Sequence, residues 1–320
     1  MEELHMYRIG VDLGGTNIVA GVINEKNEIV SKAKRKTNCP RPAKEIFADI
    51  ISAIHMAIAS AHIMIEDVQS IGIGTPGSVN KADGVIDYAN NLCFNKVPAR
   101  EWLSEEFHLP IFIENDANCA ALGEAIAGAG NHAKNFVAVT LGTGVGSGLI
   151  VDGKIVNGCN GAAGEMGHTV IQVDGEPCTC GRCGCWEAYS SATALAKQTK
   201  RAMEKDKNSV MWDLVNGDIT KVNGRTAFDA MRQGDALGQQ IVDTYIRLLA
   251  VGITNIINIF QPDVLCIGGG IGAEKENLLA PLREIVEKER YSVHSTKQTK
   301  LCSALLGNDA GLIGAALLDK

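Results

Sequence analysis

Apolar and polar positions alternate in short runs at the start of the chain and settle into helical stripes later. Ile9, Gly10 and Val11 form an apolar strand that ends at Asp12. Leu13-Gly14-Gly15-Thr16-Asn17 follows as a glycine turn, 18–23 as a second strand and 28–34 as a third after a turn over 24–27. Between residues 42 and 62, Ile46, Phe47, Ile50, Ile51, Ile54, Ala57 and Ile58 recur at helical spacing and predict a helix with a wide buried stripe. A strand over 70–74 runs into Thr75-Pro76-Gly77, and a helix over 98–107 precedes the short strand Ile111-Phe112-Ile113. The polar tip Glu114-Asn115-Asp116-Ala117-Asn118 then leads into a small-residue helix over 117–127.

Next the pattern repeats. Val137-Ala138-Val139-Thr140-Leu141-Gly142-Thr143-Gly144 restates Ile9-Gly10-Val11-Asp12-Leu13-Gly14-Gly15-Thr16 at a constant offset, followed by strands over 145–151 and 154–156 joined by Asp152-Gly153. Two copies of strand, glycine turn, strand, turn, strand predict duplicated α/β halves facing each other across a cleft. Coincidence between two glycine hairpins is the competing explanation. Beyond residue 187 the pattern turns helical, over 190–205, 226–233 and 235–260. Gln261-Pro262-Asp263 then leads to a buried strand over 264–267 that ends in Gly268-Gly269-Gly270. A closing helix over 309–318 carries Gly311 and Gly314, spaced for close packing. No low-complexity linker separates the halves, so a hinge near residue 118 is expected.

Composition narrows the function classes. At 320 residues two domains are the natural expectation, and 46% apolar with 21% charged residues describes a globular chain. A formal charge of −7 without a basic face argues against a nucleic-acid partner. Met1-Glu2-Glu3-Leu4 lacks the basic start and apolar run of a leader, and the apolar stretch 248–260 is broken by Thr254, Asn255 and Asn258. No membrane span and a cytoplasmic protein are therefore expected. Six of the ten cysteines (Cys39, Cys93, Cys119, Cys159, Cys266, Cys302) are scattered singly, whereas four crowd into 178–185, which reads as a metal site before a disulfide framework.

Glycine supplies 35 of the 320 residues, more than the typical ~7%, and the excess gathers at strand ends. There backbone N–H groups can approach a phosphate without a Cβ in the way. Three such turns occur, at 13–16, 142–148 and 268–270; none has Walker A or convincing Rossmann spacing. Taken together they point to a bound nucleotide. Asp12 beside the first turn would repel phosphate unless a divalent cation lay between them, and its counterpart in the repeat is Thr140. That asymmetry suits one Mg–ATP per chain.

Asp116, past the carboxyl end of a strand, is placed to accept a hydroxyl proton during phosphoryl transfer, with Asn115 holding a neighbouring sugar hydroxyl. The same pair also reads as an ordinary helix cap. His168, Cys178, Cys180 and Cys185 form a set suited to a closed tetrahedral zinc site of structural type, with Cys183 as a spare thiolate. A metal-bound histidine leaves one ring nitrogen to donate, and a sugar hydroxyl would accept. Glu165 and Glu187 flank the cluster and would serve as polyol clamps, or alternatively as helix-terminal acids.

With these residues in order, the chain resembles the ROK family (repressors, open reading frames and kinases), and most of all its bacterial glucokinases. The likeness rests on Asp12-Leu13-Gly14-Gly15-Thr16, Glu114-Asn115-Asp116-Ala117-Asn118, Leu141-Gly142-Thr143-Gly144, Glu165-Met166-Gly167-His168 and the run from Cys178 through Cys180, Gly181, Gly184 and Cys185 to Glu187. The resemblance implies an actin-like, ribonuclease H-like duplicated fold with an interdomain cleft and a small zinc-bound element. The domains would be 1–118 with 305–320, and 119–304. It implies ATP-dependent phosphorylation of a hexose 6-hydroxyl, with glucose favoured and N-acetylmannosamine, N-acetylglucosamine or fructose as other acceptors. Asp116 is then the base, and Asn91, Asn115, Asp116, Glu165, His168 and Glu187 fall at sugar contacts. Zinc ligands are His168, Cys178, Cys180 and Cys185. The turns Asp12, Gly14, Gly15, Thr16 and Asn17, and Gly142, Thr143 and Gly144, correspond to phosphate loops, and Gly268, Gly269 and Gly270 to the adenosine side. A homodimer, or a tetramer, is expected by resemblance alone. Family repressors add an N-terminal helix-turn-helix, whereas the first strand here begins near residue 8. Where related glucokinases often read Asn-Leu-Gly-Trp, this chain reads Asn91-Leu92-Cys93-Phe94, which bears on sugar preference.

Overall fold

Strand β1 (Tyr7–Leu13) occupies the middle of a sheet, with Ile9, Val11 and Leu13 on one face and Arg8, Gly10 and Asp12 alternating to the other. Its neighbours are β2 (Asn17–Ile23), antiparallel, and β4 (Val68–Thr75), parallel. Outside them lie β3 (Ile29–Lys36) and β8 (Ile111–Asn115), giving the order β3-β2-β1-β4-β8. The coordinates are a computed structural model that describes residues 6–320. Met1-Glu2-Glu3-Leu4, read above for a leader, lies outside them.

Helix α1 (Ala43–Ala61) closes one face of this sheet. Its buried stripe of Ile46, Phe47, Ile50, Ile54 and Ile58 joins Ile9, Val11, Leu13, Ile71 and Ile73 in one core. Helix α2 (Ala99–Phe107) adds Leu103 and Phe107 to it. The other face is built differently, from backbone on backbone. Helices α3 (Asp116–Ala127) and α11 (Ala310–Ala316) pack there against glycines. A Cβ at Gly10 would stand 2.0 Å from the Leu312 carbonyl oxygen, and one at Gly72 would stand 1.8 Å from that of Ala315. Gly314, one of the two glycines expected to pack closely, lies against the Cys119 carbonyl, 1.7 Å from where its Cβ would be. Gly314→Ala is therefore expected to lower stability by about 1–3 kcal/mol through forced displacement of α11, read as a fall in melting temperature. An unchanged transition would show that the two helices can separate freely.

The C-terminal return is also tied by charge. Asp319 accepts from Arg8 at 2.9 Å and from Ser70 at 3.1 Å. Buried Glu124 accepts from the backbone N–H groups of Leu305 and Leu306 at 3.0 and 2.7 Å. A small antiparallel sheet of β5 (Ser78–Asn80), β6 (Val85–Ala89) and β7 (Phe94–Val97), which the sequence pattern did not reveal, carries the 90–92 turn.

The second large sheet repeats the plan of the first. It contains β9 (Phe136–Leu141), β10 (Val145–Val151), β11 (Lys154–Ile155), β12 (Val264–Gly268) and β13 (Lys300–Ser303) in the order β11-β10-β9-β12-β13. In both sheets the third, second and first strands of a repeat are followed by two strands reached through helices. The duplication expected from residues 9–16 and 137–144 thus reappears as matching strand order. Helices α4 (Glu187–Ser190), α5 (Ala192–Lys205), α6 (Met211–Leu214), α7 (Thr226–Arg232), α8 (Ala236–Phe260), α9 (Gly269–Gly272) and α10 (Glu276–Glu289) complete this half. Helix α8 is long and apolar enough to cross a membrane by length and composition, but 61% of that window is buried. Trp186 lies on its Gly252, where a Cβ would be 2.1 Å from the indole, and the Tyr245 hydroxyl donates to the Ser190 carbonyl at 2.7 Å.

The chain divides into two compact units. One is Met1–Phe136 with Gly148–Gly164 and Leu305–Lys320; the other is Val137–Ser147 with Glu165–Ala304. The hinge expected near residue 118 falls inside α3. Close packing of α3 on α11 explains why 119–136 stays with the first unit, to which Leu305–Lys320 also belongs.

Candidate active site

In the first unit, two parallel strands deliver two carboxylates. Asp12 lies near the end of β1 and Asp116 opens α3 directly after β8, with β4 pairing to both strands. Burial, and then the charge of Asp116, push the Asp12 carboxyl up to about 6. Burial also raises Asp116, opposed by the Ala117 N–H that donates to its Oδ1 at 2.8 Å. Two acids in one poorly solvated field are suited to two tasks, one facing a cation and one taking up a proton. Gly311 of α11 leaves room here, since its Cβ would reach only to 3.6 Å from the Asp12 carboxyl carbon.

The first glycine turn is pinned from behind. The Gly14 N–H donates to the Asn17 carbonyl at 2.9 Å, and buried Thr37 donates its hydroxyl to the Gly14 carbonyl at 2.6 Å and its N–H to the Thr16 carbonyl at 3.0 Å. Gly15 and Thr16 stand exposed at the tip, and Asn17 Oδ1 is buried without a partner among the described residues. A Cβ on Gly15 would meet Asn91 at an ordinary 3.6 Å, so the turn and the exposed Asn91 are neighbours. Cys93 takes the left-handed conformation at φ +55° that favours glycine. Phe94 is buried against Phe47, with centroids 6.2 Å apart, so the residue that departs from the glucokinase pattern is a core side chain.

Asn115 is the N-cap of α3. Its side-chain oxygen accepts from the N–H groups of Ala117 and Asn118 at 2.9 and 3.3 Å, and its amide donates to the Gly77 carbonyl at 3.1 Å. The cap reading of Asn115 is thus realised in full, leaving one amide N–H for a ligand.

In the second unit, the turn Gly142-Thr143-Gly144 is fixed by Ala192, whose N–H donates to the Gly142 carbonyl at 2.8 Å, and by Thr193, whose hydroxyl donates to the Thr143 carbonyl at 2.8 Å. Gly269 needs its glycine twice over, with φ +80° and the Leu141 carbonyl 2.5 Å from any Cβ. Gly142 and Gly270 are different. Among the described residues, chain neighbours and the helix's own backbone aside, nothing lies within 4 Å of a Cβ at either, and neither has a positive φ. Their bareness serves no packing purpose and suits a close-lying ligand.

Glu187 joins this turn to the cysteine loop. Its Oε2 accepts from the Val145 N–H at 2.9 Å, and a Cβ at Gly144 would stand 2.3 Å from that oxygen. Its Oε1 receives the Thr179 hydroxyl at 3.4 Å. The loop itself is held by bridges between Val170 and Cys185 and between Pro177 and Cys183, and by Gly184 at φ +82° against the Gln172 carbonyl. It gathers donor atoms of His168, Cys178, Cys180 and Cys185 within 4.8 Å of one another; Cys183 is not in that group. Cys178 Sγ is 3.5 Å from His168 Nδ1, and the Cys180 and Cys185 sulfurs are 3.6 Å apart. Zinc–sulfur bonds of ~2.3 Å in a tetrahedron require about 3.7 Å between sulfurs, so the donor set fits that ion. His168 Nε2 faces the exposed Glu165 carboxylate at 4.0 Å.

The ROK family profile matches residues 8–320. The chain belongs to the ROK family. It is 36% identical over 324 residues to a glucokinase of Halalkalibacterium halodurans, covering 98% of this chain and 94% of that protein. It is 35% identical over 314 residues to a glucokinase of Thermotoga maritima, covering 98% and 96%. Its structure aligns with that of a ROK family glucokinase from Streptomyces griseus in complex with glucose and AMPPNP, with a TM-score of 0.78, 33% identity and 98% of each chain covered. The α/β fold with two mixed sheets is thus that of ROK sugar kinases.

One constellation in this ROK protein was not read from sequence. Glu114, 1% exposed, accepts from the Asn115 N–H at 2.8 Å, from Asn118 Nδ2 at 3.1 Å and from Asn157 Nδ2 at 2.9 and 3.0 Å, and forms an ion pair with Lys81. Lys81 also donates to Asn157 Oδ1 at 3.0 Å. A carboxylate next to a polar strand tip was visible, but its partners lie on distant segments.

Proposed function

We propose that this chain transfers the γ-phosphoryl group of ATP to the 6-hydroxyl of a hexose, glucose before others. The observation that carries the reading is Asp116, a partly buried carboxylate of raised proton affinity, fixed at a helix start beside Asp12 and the first glycine turn. Asp116 takes the hydroxyl proton as the sugar oxygen forms its bond to the γ-phosphorus. The bond from that phosphorus to the β,γ-bridging oxygen breaks and ADP leaves with the electron pair. Asp116 later returns its proton to solvent.

Asn91, Asn115, Glu165, His168 and Glu187 are assigned to the sugar hydroxyls. Gly14, Gly15, Thr16, Gly142, Thr143 and Gly144 are assigned to the phosphates, and Gly268, Gly269 and Gly270 to the adenosine. Open space at Gly142 and Gly270 supports the last two assignments. Asp12 and the unpartnered oxygen of Asn17 are oxygen donors of the kind Mg2+ takes, directly or through water. Zinc is assigned to His168, Cys178, Cys180 and Cys185, where it would supply a fixed charge and a rigid cross-link with no open position. Held through Nδ1, His168 keeps Nε2 for a hydroxyl. A homodimer is the proposed assembly.

A coupled assay across glucose, N-acetylmannosamine, N-acetylglucosamine and fructose tests the substrate. Glucose is expected to give the highest kcat/KM. An N-acetyl sugar far ahead of glucose would reassign the acceptor while leaving phosphoryl transfer intact.

A further inference from the structure

We propose that Glu114 is a positioning residue for Asp116, and that Lys81 and Asn157 complete the device. The inference rests on the reading of Asp116 as the base. Glu114 does not need to touch the substrate to act. It grips the polypeptide on both sides of Asp116, through the Asn115 N–H before it and the Asn118 side chain after it. Between those two anchors the Asp116 carboxylate accepts from the Ala117 N–H at 2.8 Å. The grip therefore sets the position of the backbone that carries this carboxylate.

The chemistry of the network argues for geometry over stability. A buried carboxylate costs desolvation energy that a well-packed apolar side chain would avoid. Here that cost is met by a closed triangle in which Lys81 pairs with Glu114, Lys81 donates to Asn157, and Asn157 donates to both oxygens of Glu114. The three corners come from the β5–β6 turn, the end of β8 and the segment after β11. With the Asn115 and Asn118 bonds, every acceptor site of the carboxylate is used. A neutral side chain of the same shape presents an NH2 group to Lys81 or Asn157, which already donate, so the triangle opens, while the Asn115 cap still holds the helix start and only the fine placement of Asp116 shifts.

The device acts on alignment at the moment of proton transfer, where an error of about 1 Å costs up to ~10²-fold in rate. Glu114→Gln should thus lower kcat about 10- to 100-fold, while hexose affinity, measured by titration calorimetry without nucleotide, changes by no more than about threefold. Rates are read well below each variant's melting temperature, so that loss of folded protein does not enter. Lys81, whose side chain is 41% exposed, provides a second site for substitution, its folding checked by the same melting measurement. Lys81→Met is expected to reproduce the kcat loss, and Lys81→Arg, which keeps the cation, to restore most of it. Wild-type kcat in folded Glu114→Gln, or in Lys81→Met, would overturn the proposal and leave the network structural. Asp116→Asn in the same series separates the two claims. If it alone is inactive, the base stands and the positioning device falls; if it too turns over normally, the base itself is lost.

Discussion

Asp116→Asn should bind hexose nearly as well as the parent protein and turn over at least ~10²-fold more slowly. The amide keeps an oxygen to accept the Ala117 N–H, and the cap made by Asn115 is untouched, so the helix start survives the exchange. What disappears is the carboxylate proposed to take the hydroxyl proton. The same group sets the pH dependence. Burial raises Asp116 above its ordinary value of 3.8, and the base works only when deprotonated, so activity should fall on acidification before an ordinary carboxylate would titrate. Asp12, pushed up to about 6, competes for that proton. A divalent cation held at Asp12 favours its charged form and screens its repulsion of Asp116. Raising Mg2+ should therefore move the acid limb of kcat/KM to lower pH. Full turnover in Asp116→Asn would remove Asp116 from the chemistry.

Much of this arrangement was legible because it is local. The repeat of 9–16 in 137–144 needs only two glycine hairpins to be noticed, and it reappears as two sheets of matching order. The cysteine cluster is compact in sequence, and its ligands are close in space. Local signals also left gaps. Helix α10, absent from the elements expected from sequence, contains Pro281 and still buries a stripe of Leu278, Leu279, Leu282 and Val286. The helix expected over 190–205 is α5, which starts two residues later because Ser191 leaves helical geometry to cap it through the Ala194 N–H at 3.0 Å. Strands β5 and β7 are too short to show a period. Glu114 was out of reach for another reason. Nothing at position 114 announces Lys81 and Asn157, which meet it only after three segments have folded together.

Stripping the proposed zinc should cost both stability and sugar affinity, because the ion would cross-link His168 to three cysteines across a loop otherwise held by backbone hydrogen bonds such as that from the Gly184 N–H to the Glu176 carbonyl at 2.8 Å. Cys180 and Cys183 are exposed, the loop's backbone bridges are isolated pairs, and the one deeply buried member is Cys185 beside Trp186. Structural zinc in small loops contributes folding energy directly. From the loop, the effect passes to two residues assigned to the sugar. His168 would lose the bond that fixes its ring, and Glu187, which accepts from the Val145 N–H, from Thr179 and from Cys178, would lose the fixed placement of the last two. Loosened outer supports of this kind typically cost about 10–100-fold. Chelated protein, shown metal-free by elemental analysis, is expected to melt at least several degrees lower and to bind hexose about tenfold more weakly. Cys180→Ser should behave like the chelated protein, and Cys183→Ser like the parent, since its sulfur stands outside the donor set. A metal-free protein that kept its melting point and its affinity would show that the loop holds its shape without the ion. Loss of zinc in Cys183→Ser would instead mean that a different trio of thiolates binds it.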